Sequence, residues 1–298
     1  MGEREIAMTG EHIVCIDVGG SSLKAGALAE AGKPSGSVAT IPIDSNGDVT
    51  TIIDTFVEAI NVTGLSAKSI RGLAFSFPGP FDYNWGISQI QGLEKYNALY
   101  GLDVGQLLRN RLNLPELSIR YRNDAEAAVV GEVRYGAGRN YRRVIGVTLG
   151  TGFGSAFIDD GNVITQRDGV PPNGWLYSFP ANDARADDVF STRGLLARFN
   201  SAGLSTLTLP IAAEQARLGD PKCRGIFDSF GQDMGRFLQT FVNSFDANAV
   251  LFLGGIASAF DCFEQGLSQS LKKPLLVGEQ EGWAALLGAG DLFFRDAP

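Results

Sequence analysis

Short apolar runs alternate with segments of helical spacing along the first half of the chain. The runs His12–Asp17 and Leu23–Leu28 flank a glycine-rich turn, which predicts a β-hairpin. The positions that follow predict further strands and helices. The strands are predicted at Ser35–Ile43, Gly72–Phe77 and Glu116–Tyr121, and the helices at Val49–Val62, Val104–Leu112 and Asp124–Tyr135, the last with Asn123 as its N-cap.

The same pattern begins again near Arg143. Val144–Leu149 and Phe153–Ile158 flank a second glycine-rich turn, so Ile145–Ile158 repeats the strand, turn and strand of Val14–Leu28 about 130 residues later. This repeat predicts two similar domains, each of which opens with a hairpin. Residues 159–190 are predicted to be irregular, and the remaining elements are helices at Ser191–Phe199, Pro210–Leu218, Arg224–Phe245, Phe260–Leu271 and Trp283–Phe294 and a strand at Ala249–Leu253.

Composition adds limits on partners and location. Glycine is frequent, at 38 of 298 residues, and its clusters indicate tight loops that hold a ligand. The net charge of −8 repels phosphate at long range, so nucleic acid and anionic membranes are not expected as partners. No apolar run reaches the roughly 18 residues of a membrane span, and the first residues do not resemble a signal peptide. Three distant cysteines form neither a disulfide framework nor a CxxC metal pattern, which favours a reducing, cytoplasmic location.

The first glycine-rich turn places several reactive groups close together. Asp17 ends the apolar run, Gly19 and Gly20 free backbone amides to approach an anion, and Ser21 and Lys24 add a hydroxyl and a cation. A carboxylate in this position suits Mg²⁺ held through water. Taken alone, the segment is explained equally well as a phosphate loop and as a plain hairpin turn.

The second turn has the same composition, with Gly150, Thr151, Gly152 and Gly154 in sequence. It is not a P-loop, because no Gly-Lys-Ser/Thr follows, and it is not a dinucleotide-binding motif, because it opens a strand rather than a helix. A hairpin turn explains this segment too. Two such turns at matching places in the two halves favour phosphate binding over chance.

Three further segments each allow a functional and a structural interpretation. Asp124, between a strand and a helix, is placed to accept a proton from a substrate hydroxyl, or with Asn123 simply caps the helix. The Pro78-Gly79-Pro80 segment is either one wall of a polar ligand site or a turn. Gly254 and Gly255 form either a corner that lies flat against a nucleotide base or ordinary strand–helix packing.

Taken in order, the segments DVGGSSLK, NDA followed by Gly131-Glu132, TLGTGFGSAF and LFLGGIA resemble the ROK family (repressor, open reading frame, kinase) from Ile13 to about Ala289. The family implies two ribonuclease-H-like α/β domains of the actin/hexokinase-type ATPase fold, with ATP in an interdomain cleft. We expect residues 1–122, joined by the C-terminal helix 283–298, to form the N-terminal domain. Residues 123–282 would form the larger C-terminal domain.

The resemblance also implies roles for single residues. Asp124 matches the catalytic base, Asn123 a sugar ligand, and Asp17 the carboxylate near Mg²⁺, with Pro78 and Gly79 beside the sugar. The matched phosphate and nucleotide residues are Gly19, Gly20, Ser21 and Lys24 in the first loop, Gly150, Thr151, Gly152 and Gly154 in the second, and Gly254 and Gly255 in the adenosine segment.

One segment departs from the family pattern. Many ROK proteins carry a Glu-x-Gly-His motif that contacts the sugar, followed by a Cys-rich zinc site. The matching stretch here is Pro172-Asn173-Gly174-Trp175, which keeps the glycine and lacks both the Glu and the His. No histidine follows His12, so no structural zinc is expected. Asp187 or Asp188 is the candidate replacement for a family Glu, and the substrate need not be glucose.

These implications predict an ATP- and Mg²⁺-dependent sugar kinase, a phosphotransferase that acts on a hydroxyl of a hexose or hexose derivative. Polyphosphate is an alternative donor, although the net charge gives no sign of the basic groove that it favours. A non-catalytic sugar sensor of the same fold is the second alternative. The lost sugar contacts favour a sensor, whereas Asp124, Lys24 and the missing DNA-binding segment count against it. By analogy, a homodimer is a candidate assembly.

Overall fold

The computed structural model describes residues 11–280 and 282–294. The strands are β1 (His12–Val18), β2 (Ser22–Leu28), β3 (Pro34–Pro42), β4 (Ile70–Phe77), β5 (Phe81–Asp82), β6 (Ile87–Ser88), β7 (Ser118–Asn123), β8 (Arg143–Leu149), β9 (Phe153–Asp159), β10 (Asn162–Val163), β11 (Pro180–Ala181), β12 (Ala184–Arg185), β13 (Ala249–Leu253) and β14 (Leu275–Val277). The α-helices are α1 (Val49–Asn61), α2 (Val104–Leu112), α3 (Asp124–Tyr135), α4 (Ala186–Phe190), α5 (Thr192–Ser201), α6 (Leu209–Leu218), α7 (Pro221–Phe245), α8 (Phe260–Ser270) and α9 (Ala284–Gly290).

The chain divides into two compact units, Met1–Gly131 with Gln280–Pro298 and Glu132–Glu279. The division falls inside α3, whereas the sequence placed a boundary at the beginning of that helix. The first turns of α3 stay with the first unit because they pack against α9: a Cβ on Gly131 would lie 1.9 Å from the carbonyl oxygen of Ala284.

The first unit contains a five-stranded sheet in the order β3-β2-β1-β4-β7. β1 is antiparallel to β2 and parallel to β4, and β4 is parallel to β7. Because side chains alternate across a strand, Val14 and Ile16 pack with α1 and α2 on one face, while Cys15 faces α9 on the other. The buried Arg122 of β7 donates to the carbonyl of Gly288 in α9, so it joins this helix to the sheet.

The second unit repeats this arrangement in the order β10-β9-β8-β13-β14. β8 is antiparallel to β9 and parallel to β13, which is parallel to β14. Its core is rich in phenylalanine from β9 and α7, for example Phe157 against Phe245 with ring centroids 5.2 Å apart. Two sheets with the same order and directions confirm the predicted α/β fold class.

Most predicted elements are present, with differences where the local signal is weak. Helices α2 and α3 and strand β13 have their predicted bounds. The predicted irregular segment 159–190 contains β10, β11, β12 and α4, which are too short to leave a periodic pattern. The predicted helix Trp283–Phe294 is α-helical only over α9 and continues as a 3-10 turn at Asp291–Phe293. Strand β14, with three residues, was not predicted.

Within the described ranges, no helix combines the length and the apolar character that crossing a membrane requires.

Candidate active site

Asp17 lies at the end of β1, at the carboxyl edge of three parallel strands. Its Oδ1 accepts a hydrogen bond of 2.7 Å from the hydroxyl of Ser76 in β4, and Lys24 is its cross-strand partner in β2. Burial raises the pKa of this carboxyl above its ordinary value, and the Ser76 hydrogen bond and the charge of Lys24 oppose that shift. Ligands of α/β proteins bind at such strand ends.

Hydrogen bonds to its carbonyl groups hold the first glycine loop in place. The Tyr96 hydroxyl donates to the Gly19 carbonyl, and the Ser45 hydroxyl donates to the Gly20 carbonyl over 2.6 Å. The carbonyl of Ser21 accepts from the amide of Ile43 at 3.1 Å. By contrast, the amides of Gly20 and Ser21 have no hydrogen-bond acceptor in the part of the chain that the structure describes. The loop therefore presents free N–H groups, which suit an anion.

Asn123 ends β7 and caps α3. Its Oδ1 accepts from the amides of Ala125 and Glu126 at 3.1 and 3.2 Å, as an N-cap does. Its Nδ2 donates to the Tyr83 hydroxyl at 3.0 Å, and Tyr83 in turn donates to the Phe77 carbonyl. The second hydrogen of Nδ2 has no acceptor among residues 11–280 and 282–294. A buried amide with one unused hydrogen suits a ligand oxygen.

Asp124 is the first residue of α3, and its side chain is accessible to solvent. Its Oδ1 accepts from the amide of Ala125 at 2.9 Å. The surrounding protein displaces part of its hydration and raises the pKa of the carboxyl, and the charge of Asp17 raises it further. The hydrogen bond from Ala125 and the charge of Lys95 oppose this rise in pKa. An accessible carboxylate with a raised pKa is suited to accept a proton.

The Pro78-Gly79-Pro80 segment follows β4 and passes close to Asn123. The Gly79–Pro80 peptide bond is cis. A Cβ on Gly79 would lie 3.1 Å from the Tyr83 hydroxyl and 4.0 Å from Asn123 Nδ2. Pro78 is buried, and Gly79 is partly exposed. Gly79 therefore lies beside the Tyr83 hydroxyl and close to the Asn123 amide.

The second glycine loop, in the other unit, is also stabilised by hydrogen bonds. The amide of Gly150 donates to the carbonyl of Gly152 at 3.0 Å, and the amide of Phe153 donates to Asp187 Oδ1 at 2.8 Å. Asp187 Oδ2 lies 3.1 Å from Arg193, so both oxygens of this candidate sugar ligand are already paired. The exposed amides of Thr151 and Gly152 find no acceptor in the described part of the chain. Gly154 follows in β9.

Beside this loop lies an apolar cavity of about 480 Å³. Its lining comes from α5, from the segment that leads into α6, and from Gly255 and Ile256. Gly254 has a φ of +89°, and a Cβ there would lie 2.5 Å from the carbonyl oxygen of Leu149, so only glycine fits this position. This contact brings the two glycine segments of the second unit together. The cavity has the size and apolar character that a nucleotide base requires.

The Pro172-Asn173-Gly174-Trp175 segment forms a 3-10 turn against β9. The Ser155 hydroxyl donates to the Gly174 carbonyl at 2.7 Å, and the buried Trp175 Nε1 has no hydrogen-bond partner in the described ranges.

Magnesium has one fitting ligand among the residues described. No group of three or more His, Cys, Asp and Glu side chains that could hold a metal occurs among residues 11–280 and 282–294. Asp17 Oδ1 accepts from the Ser76 hydroxyl, and its Oδ2 has no hydrogen-bond donor within the described ranges. A single carboxylate oxygen suits Mg²⁺, which takes its other ligands from water and phosphate.

Several residues of the site were not predicted individually from the sequence. Ser45, Ser76, Tyr83 and Tyr96 each hold a predicted residue in place through a hydrogen bond. Each bonds to a residue distant along the chain. Ser76 and Tyr83 flank the Pro78-Gly79-Pro80 segment, but the sequence pattern does not show these bonds.

Comparison with known proteins gives consistent matches. A model of the ROK family matches residues 13–289. The glucokinase of Thermotoga maritima is 24% identical over 274 residues, 83% of each chain. The beta-glucoside kinase of Klebsiella pneumoniae is 24% identical over 259 residues, 82% of each chain.

Solved structures agree in fold. The ROK hexokinase from Thermus thermophilus superimposes with a TM-score of 0.75 and 20% identity, covering 96% of this chain and 100% of that one. A ROK family glucokinase from Streptomyces griseus, in complex with glucose and AMPPNP, has a TM-score of 0.75 and 20% identity over 94% of this chain and 98% of that one. At this identity the likeness establishes the fold.

Proposed function

The chain belongs to the ROK family, and from this premise we propose that it is a kinase that transfers the γ-phosphoryl group of ATP to a hydroxyl of a hexose or hexose derivative. The observation that carries the proposal is the pair Asn123 and Asp124. A buried amide with an unused hydrogen stands next to an accessible carboxylate of raised pKa. The glucokinase and beta-glucoside kinase activities of the two relatives support it.

In the proposed mechanism, Asp124 accepts the proton of the sugar hydroxyl as that oxygen attacks the γ-phosphorus and ADP leaves. Asn123 Nδ2 donates to a sugar oxygen, and Gly79 leaves room for the ring. These contacts orient the hydroxyl toward the phosphate, which is worth a large part of the rate acceleration.

Each unit carries a candidate phosphate-binding loop. In the first unit, the free amides of Gly20 and Ser21 would donate to phosphate oxygens. In the second unit, the free amides of Thr151 and Gly152 would do the same, and Gly255 and the cavity beside it would take a base. Bound magnesium would neutralise charge on the phosphates, and Asp17 is the residue that would hold it. The three unpaired cysteines agree with a reducing, cytoplasmic location. A homodimer stays part of the proposal by analogy with the family.

The direct test is an assay of the purified protein with Mg²⁺ and ATP against hexoses, amino sugars and N-acetyl sugars. We expect one sugar class to gain a phosphoryl group, seen as ADP release and as a phosphorylated product by mass spectrometry. A second arm replaces ATP with polyphosphate, and turnover in that arm alone would make polyphosphate the donor. If no sugar reacts but one raises Tm, the protein is a sensor that binds without chemistry.

The raised pKa of Asp124 predicts the acid limb of the pH profile. A base works only when ionised, so kcat/KM falls as pH decreases through a pKa that lies above the ordinary 3.8 of an aspartate. The measurement is kcat/KM for the sugar from about pH 4 to pH 9 at saturating Mg²⁺. A profile still flat at about pH 4 would contradict a raised pKa at the base.

Gly79→Ala is expected to weaken sugar binding. The new methyl group would stand 3.1 Å from the Tyr83 hydroxyl, closer than ordinary packing, and 4.0 Å from Asn123 Nδ2. We expect KM for the sugar to rise about 5- to 20-fold, with KM for ATP unchanged. The control is Gly225→Ala, which adds a methyl group in open space and should change neither KM value. Gly36→Ala is less suitable as a control, because Gly36 has a positive φ. Unchanged sugar affinity in Gly79→Ala would remove Gly79 from the sugar site.

A further inference from the structure

We propose that Lys95 is a phosphate-binding residue of this site, whose ammonium group contacts the γ-phosphoryl group while it is transferred. The inference rests on the proposed kinase function and adds a residue to it. Lys95 forms no covalent bond during the reaction and transfers no proton. Asp124 takes the proton, the sugar oxygen forms the new bond to phosphorus, and ADP leaves.

The side chain of Lys95 lies along the first glycine loop. Its Cδ is 3.9 Å from the position of a Cβ on Gly20, which is van der Waals contact with the loop. Gly20 is one of the two residues of this loop whose amides have no acceptor in the described ranges. The aliphatic part of Lys95 therefore rests on the loop that is shaped to hold an anion, and its charged end extends from that loop.

The backbone around Lys95 adopts an unusual conformation. Glu94 and Tyr96, on either side of it, have positive φ values of +51° and +55°, a region that residues other than glycine rarely occupy. Tyr96 is held there by two hydrogen bonds, from its hydroxyl to the Gly19 carbonyl and from its amide to the Ser45 carbonyl at 2.6 Å. Backbone strain of this kind persists where the surrounding structure enforces it, often at functional sites. Tyr96, directly after the lysine, thus ties this segment to the glycine loop.

The charge of Lys95 is available to a ligand. Within residues 11–280 and 282–294 its ammonium group forms no salt bridge and no hydrogen bond. Its charge lowers the pKa of Asp124, whereas the charge of Asp17 raises it. Lys95 therefore acts on the carboxylate that would receive the proton, from a position against the loop that would hold the phosphates. During transfer, the γ-phosphoryl group has to reach the space between the first glycine loop and the Asp124 carboxylate.

Lys24 is less suited to this contact. It lies in β2 directly across from Asp17, and its charge lowers the pKa of that carboxyl. Two carboxylates and a triphosphate in one site repel one another, so a cation in addition to Mg²⁺ stabilises the transferred group, whose oxygens carry the charge. Lys24 is thus paired across the strands with Asp17, whereas Lys95 packs against the loop itself.

The test compares Lys95→Met, which keeps the aliphatic chain and removes the charge, with Lys95→Arg, which keeps the charge. Lys68→Met, on the exposed 3-10 turn Ala67–Ser69, is the matched control. We expect Lys95→Met to lower kcat about 10- to 100-fold, the range of one charge-assisted hydrogen bond, and Lys95→Arg to recover part of that loss. Lys68→Met should behave as the wild type.

A binding experiment separates this inference from the kinase proposal. Calorimetry with AMPPNP and with ADP measures how much affinity depends on the γ-phosphate. We expect Lys95→Met to lose affinity for AMPPNP about 10-fold or more and to keep its affinity for ADP. Equal losses for both nucleotides, or no loss, would overturn the inference.

If the wild type phosphorylates no sugar, the kinase proposal fails, and the comparison of the two nucleotides still decides whether Lys95 contacts the γ-phosphate. Tm is measured for each variant. Should Lys95→Met fold poorly, Lys95→Gln takes its place, with the same expected difference between AMPPNP and ADP.

Discussion

Asp124→Asn should lower kcat for sugar phosphorylation by about 10²- to 10⁴-fold, the usual contribution of a general base. The amide of Asn has the shape of the carboxylate and can still accept the hydrogen bond from Ala125, so α3 should begin at the same residue. It cannot take up the proton of the attacking hydroxyl. The loss should therefore appear in kcat rather than in KM for ATP.

The measurement is steady-state kinetics of wild type and Asp124→Asn with the sugar that the panel assay identifies. Sugar binding, followed by the increase in Tm, should persist in the variant. Glu58→Gln is the control, because Glu58 is an exposed carboxylate on α1 whose side chain makes no hydrogen bond in the described ranges. A variant that retains more than about a tenth of wild-type kcat would exclude Asp124 as the base.

The sequence predicts well those features of the fold and the site that local residue patterns encode. The glycine turns, the strand ends and the cap at Asn123 each depend on residues within a few positions of one another. The two copies of the strand-turn-strand pattern predicted two hairpins at matching places, and the structure has both, each within a sheet of the same strand order. A repeat can be detected from sequence even when each copy alone is ambiguous, because two matching copies seldom arise by chance.

What the sequence did not predict depends on contacts between distant segments. Ser76 is 59 residues from Asp17, and Tyr96 is 77 residues from Gly19, yet both bonds shape the site. Asp187, the candidate replacement for a family Glu, accepts through Oδ1 from the Phe153 amide 34 residues away and supports the second glycine loop, a contact that the sequence does not show. A side chain that positions another residue through a hydrogen bond leaves no spacing pattern of its own in the sequence.

The packing of α3 against α9 shows how such distant contacts determine where Asp124 lies. Ala127 and Gly131 in α3, and Ala284 and Gly288 in α9, are small residues four positions apart, so the two backbones meet directly. A Cβ on Gly288 would stand 1.8 Å from the carbonyl oxygen of Ala127. The helix that begins with Asp124 is therefore supported along its side by the C-terminal helix of the same unit.

Gly288→Ala should destabilise this unit strongly. The methyl group has no room unless α9 moves away from α3, and overpacking of this kind costs about 1–3 kcal/mol and sometimes more. We expect Tm to fall by about 5 °C or more, measured by thermal unfolding. Because Arg122 donates to the Gly288 carbonyl, the displacement should also disturb the attachment of α9 to β7.

Gly225→Ala is the matched control for this change. Gly225 lies within α7, and a Cβ there meets no atom within 4 Å. The same chemical change should therefore raise stability slightly, by about 0.5–1 kcal/mol, because alanine favours a helix over glycine. If Gly288→Ala melted at the wild-type temperature, the contact between α3 and α9 would not support the helix, and the sheet alone would have to hold Asp124 in place.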